Sequence, residues 1–142
     1  MTEQPVVVIT GSAGGIGAAA ARVFAAAGWH VVGVDRAGGA PPDGVARFVQ
    51  VDIADEAANR AIFEGVAAQE GRLDALVNNA AIQIAKRLVE TEPAEWDQVM
   101  ASNVRAVYLA IRHAHPLLKQ SGGSIVNVSS VHAVATSVGL AA

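Results

Sequence analysis

Apolar positions along this chain switch repeatedly between two periods. Val6-Val7-Val8-Ile9 is a continuous β-branched run, as expected of a strand buried on both faces of a parallel sheet. From Ile16 to Ala27 the period becomes helical, with Ile16, Ala20, Val23, Phe24 and Ala27 on one face and Gly28 as the C-cap. Trp29 to Val34 reads as a second strand ending at Asp35. Ala37 to Gly44 contains Gly38, Gly39, Pro41, Pro42 and Gly44 and reads as a loop, and Ala46 to Val51 as a third strand. The connection between strands two and three is therefore leaner than the often helical crossover usual between parallel strands. A helix is predicted over Asp55–Gly71 with Ala58, Ile62, Phe63 and Val66 inward, then a fourth strand over Leu73–Val77 and a turn at Asn78-Asn79-Ala80-Ala81. The pattern is ambiguous from Ile82 to Glu92, where Lys86-Arg87 reads as a solvated face. A long helix follows from Pro93 with an apolar stripe of Trp96, Val99, Met100, Val104, Val107, Ile111 and Leu118. Pro116 should kink it or end its regular part. Gly122-Gly123 break it, and Ser124 to Val128 form a fifth strand with Ser129 and Ser130 at its C-terminal end.

This alternation predicts an α/β fold: a doubly wound parallel sheet of the Rossmann type, strand order 3-2-1-4-5, in a single domain over residues 1–142. Hydrophobic residues at 52% and charged residues at 16% place the chain among globular proteins. A net charge of −3 without a basic cluster argues against nucleic acid and anionic membrane surfaces as partners. The absence of cysteine excludes disulfides and thiolate metal sites. No metal site is expected from histidines either, because His113 and His115 are two apart on a helix and face different ways. The apolar stretch from Ile16 to Val34 is interrupted by Arg22 and His30 and is no membrane span. Met1-Thr2-Glu3-Gln4 lacks the basic start of a signal peptide. A cytoplasmic protein is expected.

The candidate chemistry starts at Thr10-Gly11-Ser12-Ala13-Gly14-Gly15-Ile16-Gly17, between the first strand and the first helix. A strand, a glycine turn and a helix in that order form a dinucleotide-binding corner. Gly11 permits the tight turn, Gly15 lets backbone N–H groups approach a pyrophosphate, and Gly17 lets the helix lie close to the sheet. Gly11, Ser12, Gly15, Ile16 and Gly17 are thus candidate cofactor contacts, with the helix N-terminus facing the phosphates. Asp35, 18 residues after Gly17, is placed to accept hydrogen bonds from ribose hydroxyls and to repel a 2′-phosphate. NAD is therefore favoured over NADP, with the neighbouring Arg36 the one counter-argument. Asp52 and Ile53 end the third strand. Asp52 either starts the next helix or lies with Ile53 beside the adenine, and the pattern does not separate the two.

Taken together, these motifs resemble the short-chain dehydrogenase/reductase family along the whole chain. Thr10 to Gly17 matches its Thr-Gly-x-x-x-Gly-x-Gly form. Asn78-Asn79-Ala80-Ala81 is similar to its Asn-Asn-Ala-Gly turn with Ala81 in place of glycine, which adds Asn79 and Ala80 to the cofactor-binding candidates. Asn103 matches the asparagine of the catalytic tetrad and Ser130 the serine. The resemblance implies an oxidoreductase that moves a hydride between a nicotinamide and a small alcohol or carbonyl substrate. It assigns Ser130 to the substrate oxygen and Asn103 to a water in the proton relay. The family's Tyr-x-x-x-Lys would begin one residue after Ala142. Tyr108, followed by Arg112, reads as an ordinary aromatic, and arginine is no substitute for the lysine. His132 reads as a loop histidine near Ser130. The 142 residues alone are expected to be inactive, and the full-length protein to be a homo-oligomer, dimer or tetramer. Without the segment that family members carry next, the apolar flank of Trp96–Leu118 and the edge of the fifth strand should be uncovered. The alternatives are a non-catalytic dinucleotide-binding short form or subunit, and an unrelated nucleotide-binding module.

Overall fold

The β-branched run near the start of the chain becomes the centre of the sheet. In the computed structural model, which describes residues 3–140, β1 (Val6–Thr10) is buried along its whole length. It pairs in parallel with β2 (His30–Asp35) on one side and β4 (Ala75–Asn78) on the other. β3 (Arg47–Gln50) and β5 (Ser124–Asn127) are the edges, giving the order β3-β2-β1-β4-β5. Successive side chains of β1 feed two separate cores. Val6 and Val8 pack with Ile62, Phe63, Val66, Ala110 and Leu118 on one face, while Val7 and Ile9 pack with Ala21 and Val31 on the other. Helices on both faces explain why β1 is apolar from Val6 to Ile9. Full burial of each such side chain contributes about 1.5–3 kcal/mol.

The first helix, α1 (Gly15–Ala26), buries Gly17 and Ala21. Ala20, Phe24 and Ala25 are half-buried beside them. The predicted face was wrong in phase, since Ile16 and Val23 are 67% and 69% exposed. The cause is a close approach: a Cβ on Gly17 would collide with the Gly11 carbonyl, so only the small-residue side of α1 fits against the turn. The loop after β2 holds no helix and lies on α1 instead, where a Cβ on Gly44 would come within 3.0 Å of the Ala21 carbonyl oxygen.

Asp55 caps α2 (Glu56–Gln69) by accepting a hydrogen bond from the Ala58 N–H at 2.7 Å. Ile62, Phe63 and Val66 are buried as predicted, but Asn59 takes the inward position expected for Ala58, which is half-buried. The long helix is continuous in three pieces: α3 (Pro93–Met100), a π turn (Ala101–Arg105) and α4 (Ala106–Ser121). The π turn adds a residue to the local repeat and re-phases the apolar stripe. Val99 and Leu118 are buried as predicted. Ala106, Leu109, Ala110 and Ala114 join them, while Trp96 and Val104 point outward and Met100, Val107 and Ile111 are half-buried. Pro116 does not end the helix, which runs on to Ser121, where Gly122 (φ +68°) closes it.

All four residues of β5 are exposed, and Trp96, Val104 and Tyr108 expose apolar surface on the neighbouring helical flank. The expectation of an uncovered flank and fifth strand thus holds among the described residues. No described helix is long and apolar enough to cross a membrane. Met1 and Thr2, part of the N-terminal stretch read above as lacking a signal peptide, lie outside the described residues.

Candidate functional site

The glycine turn is held from both sides. Gly11 has φ +69°, a conformation open to glycine at little cost, and a Cβ there would come within 2.8 Å of the Ala80 Cα. Its N–H donates to the Val34 carbonyl at 2.8 Å, and that of Ser12 donates to the same oxygen at 3.2 Å, which ties the turn to the end of β2. From the other side, the Asn79 side chain donates to the carbonyls of Thr10 (3.1 Å) and Gly11 (3.2 Å). The N–H groups of Asn79 and Ala80 both donate to Thr10 Oγ1 at 3.1 Å. The turn at the end of β4 therefore locks the glycine turn at the end of β1.

A cleft of about 310 Å³ opens above this junction, within the range of small-molecule sites of roughly 300–1,000 Å³. Its lining includes Gly11, Gly15, Ile16, Asp35, Asp52, Ile53, Asn79 and Ala80, so eight predicted residues meet in one place. Asp35 Oδ2 accepts from the Ala13 N–H at 2.9 Å and Oδ1 from the Ala37 N–H at 3.0 Å. Asp52 does not start the helix, since Asp55 is the cap; it lines the cleft, and its Oδ1 accepts from the Ala54 N–H at 2.9 Å in the turn before α2. The roof is held by Asn103 in the π turn, whose side chain accepts from the Ile82 N–H (2.9 Å) and donates to the Ile82 carbonyl (2.8 Å).

Four predicted residues lie outside the lining. Ser12 is fully buried beneath the turn, with its hydroxyl against Gly33 and without a partner among the described residues. Gly17 is buried in the contact between helix and turn. Asn103 stands behind the wall it anchors. Ser130 is exposed after β5, where its Oγ accepts from the His132 N–H at 3.3 Å and starts a short 3₁₀ turn. Tyr108 is 55% exposed and accepts a hydrogen bond from Arg112 at 2.9 Å, away from the cleft. Residues the sequence reading did not assign also line the cleft: Gly14, Val34, Arg36, Val51, Ala81, Ile82 and Ser102. Val34 and Val51 were findable as the last strand positions before Asp35 and Asp52, because ligands bind beyond the carboxyl ends of parallel strands. Ile82 and Ser102 carried no such signal.

The residues present fit a dinucleotide. An ionised carboxylate offers about four lone-pair positions, so Asp35 keeps capacity for ribose hydroxyls after serving two N–H groups. The first turn of α1 contains no acidic side chain and Gly14 provides no side-chain cap, which leaves the N–H groups and positive end of the helix available to an anion. A Cβ on Gly15 would meet nothing within 4 Å, so backbone faces open space where phosphates would lie.

A parallel sheet in this order, with a glycine turn into α1 and an acidic residue ending β2, defines the doubly wound Rossmann class. The family model for short chain dehydrogenase matches residues 5–142, and the chain belongs to that oxidoreductase family. A meso-2,3-butanediol dehydrogenase of Serratia marcescens is 35% identical over 136 residues, covering 91% of this chain and 54% of that protein. The ligand-free aldohexose dehydrogenase of Thermoplasma acidophilum superposes with a TM-score of 0.89 at 27% identity, covering 96% of this chain and 53% of its own. The 3-ketoacyl-(acyl-carrier-protein) reductase of Brucella melitensis, solved with NADH, gives 0.87 at 35% identity, covering 96% and 61%. The chain spans about half the length of the curated relatives it matches.

Proposed function

We propose that these residues form the cofactor-binding part of an NAD-dependent oxidoreductase acting on a small alcohol or carbonyl compound. The observation that carries this reading is Asp35, fixed at the end of β2 in the same cleft as the open N-terminus of α1. Asp35 would bind the adenosine ribose, Ile53 and Asp52 would flank the adenine, and Gly15 and Ile16 would face the pyrophosphate. When bound, the nicotinamide supplies or accepts the hydride. The names of the three relatives above share one chemistry, interconversion of C–OH and C=O, which supports the substrate class.

Ser130 would hold the substrate oxygen, and Asn103, its side chain committed to Ile82, would keep the roof in place and hold a relay water. No Tyr-x-x-x-Lys occurs within the 142 residues, so we assign them binding without turnover when tested alone. Assembly of the full-length protein as a homo-oligomer and a cytoplasmic setting belong to the same reading, on the family resemblance alone.

Titration with NADH and NADPH, followed by nicotinamide fluorescence, tests the proposal. NADH should bind the more tightly, and Asp35→Ser should shift preference toward NADPH by about tenfold through loss of a charged acceptor. An unchanged ratio would remove the NAD assignment. Failure of the unmodified chain to bind either nucleotide would remove the cofactor reading itself.

A further inference from the structure

Asn59 is a polar residue in the middle of an apolar face. It has no solvent exposure, and its neighbours on α2, Ile62, Phe63 and Val66, belong to the main core. A buried amide is tolerated where it makes hydrogen bonds, because an unpaired polar group gives up its hydration without return. Here Nδ2 donates to the Ile53 carbonyl at 3.0 Å and to the Ala106 carbonyl at 3.3 Å, while Oδ1 is buried without a partner among the described residues, so the donor side alone carries the bridge. Ile53 lines the cleft, and Ala106 is the first residue of α4 after the π turn. One side chain therefore joins the loop beyond β3 to the element carrying Ser102 and Asn103.

A second contact spans the same gap. Arg105, the last residue of the π turn, donates to the Ala54 carbonyl at 3.3 Å and to Glu56 at 2.7 Å. This pair is exposed on both sides and weak by itself. The buried Asn59 bridge is the one that fixes where the Ile53 backbone sits.

We infer that Asn59 is a positioning residue for the nucleotide site, holding Ile53 against the adenine by bridging it to the start of α4. This rests on the cofactor reading above. The test is a double-mutant cycle of Asn59→Leu with Ile53→Ala, read as affinity for ADP-ribose by calorimetry. Asn59→Leu removes the donor while keeping the same branching and number of side-chain heavy atoms, and should weaken binding about tenfold. In the Ile53→Ala background the same change should have little further effect, because no side chain remains to be positioned. A general loss of stability would not produce that non-additivity.

Unchanged affinity in Asn59→Leu, or two effects that simply add, would overturn the inference while leaving the cofactor reading intact. If the unmodified chain fails to bind ADP-ribose, the cofactor reading falls and this inference with it. Should Asn59→Leu not fold, Asn59→Ser, which leaves room for a water beneath Ile53, is read in the same cycle against the same outcomes.

Discussion

Gly15 and Gly17 are two positions apart, yet they meet opposite surroundings. Gly17 presses on the Gly11 carbonyl, so Gly17→Ala puts a methyl group against backbone that cannot retreat. We expect a loss of at least about 2–3 kcal/mol in urea unfolding. Gly15 faces the open cleft, so Gly15→Ala should leave the unfolding midpoint nearly unchanged while NADH affinity falls by about tenfold, as phosphate contacts to backbone N–H groups are obstructed. A Gly17→Ala protein of unchanged stability would contradict the packing role. Equal NADH affinity in Gly15→Ala would contradict the phosphate role. The glycine pattern already assigned packing to Gly17 and phosphate approach to Gly15, and the distances agree with the close packing at Gly17.

The α3–π–α4 element shows how one local departure alters a whole helix. A regular 3.6-residue repeat carried through from Pro93 puts Val104 inside, whereas within the π turn it is 58% exposed. The turn directs Asn103 at Ile82, so the irregularity and the roof of the cleft have a common origin. Pro116 is a second irregularity, without a partner role in the site. It is exposed within α4 and lacks the N–H that would bond the Arg112 carbonyl. Pro116→Ala should stabilise the protein by about 1 kcal/mol, less than the full helix penalty because alanine also loosens the unfolded chain. A fall in the denaturation midpoint would show instead that the ring itself supports packing.

On the scale of the molecule, the end of the sheet away from the cleft is held by ion pairs. Arg72 engages Asp74 through two bonds of 2.9 and 2.6 Å, and Asp74 also accepts from the Val6 N–H at 2.7 Å, joining the starts of β1 and β4. The Arg72 guanidinium, and secondarily the Val6 N–H, hold the Asp74 carboxyl below the usual carboxylate range against partial burial, which acts the other way. A pKa depressed in the folded state means stability that is present at neutral pH and lost as pH falls through the folded value. Asp74→Asn, which keeps an acceptor for Val6 but loses the charge, should therefore be less stable than the parent by about 1 kcal/mol at pH 7, the difference between a charge-assisted and a neutral bond. The gap should narrow once pH drops below about 4, where the unfolded chain already binds the proton. Thermal unfolding from pH 7 to 3 measures this, and a gap independent of pH would refute it.

The order of strands, the glycine turn, Asp35 and the lean connection before β3 were legible in the residues alone. Each depends on local chemistry: β-branched runs for buried strands, glycine for positive φ, and a carboxylate just past a strand end. Tertiary structure decided what depends on rotation and on meetings between distant segments. The phase of α1 followed from the Gly17–Gly11 contact, and the phase of the long helix from the π turn. Asn59 in the core was invisible to a search for apolar periodicity, because the Ile53 and Ala106 carbonyls that accept from its Nδ2 lie 6 and 47 residues away. Sequence periodicity records which residues avoid water, while the direction a side chain takes is set by the atoms that fill the space beside it.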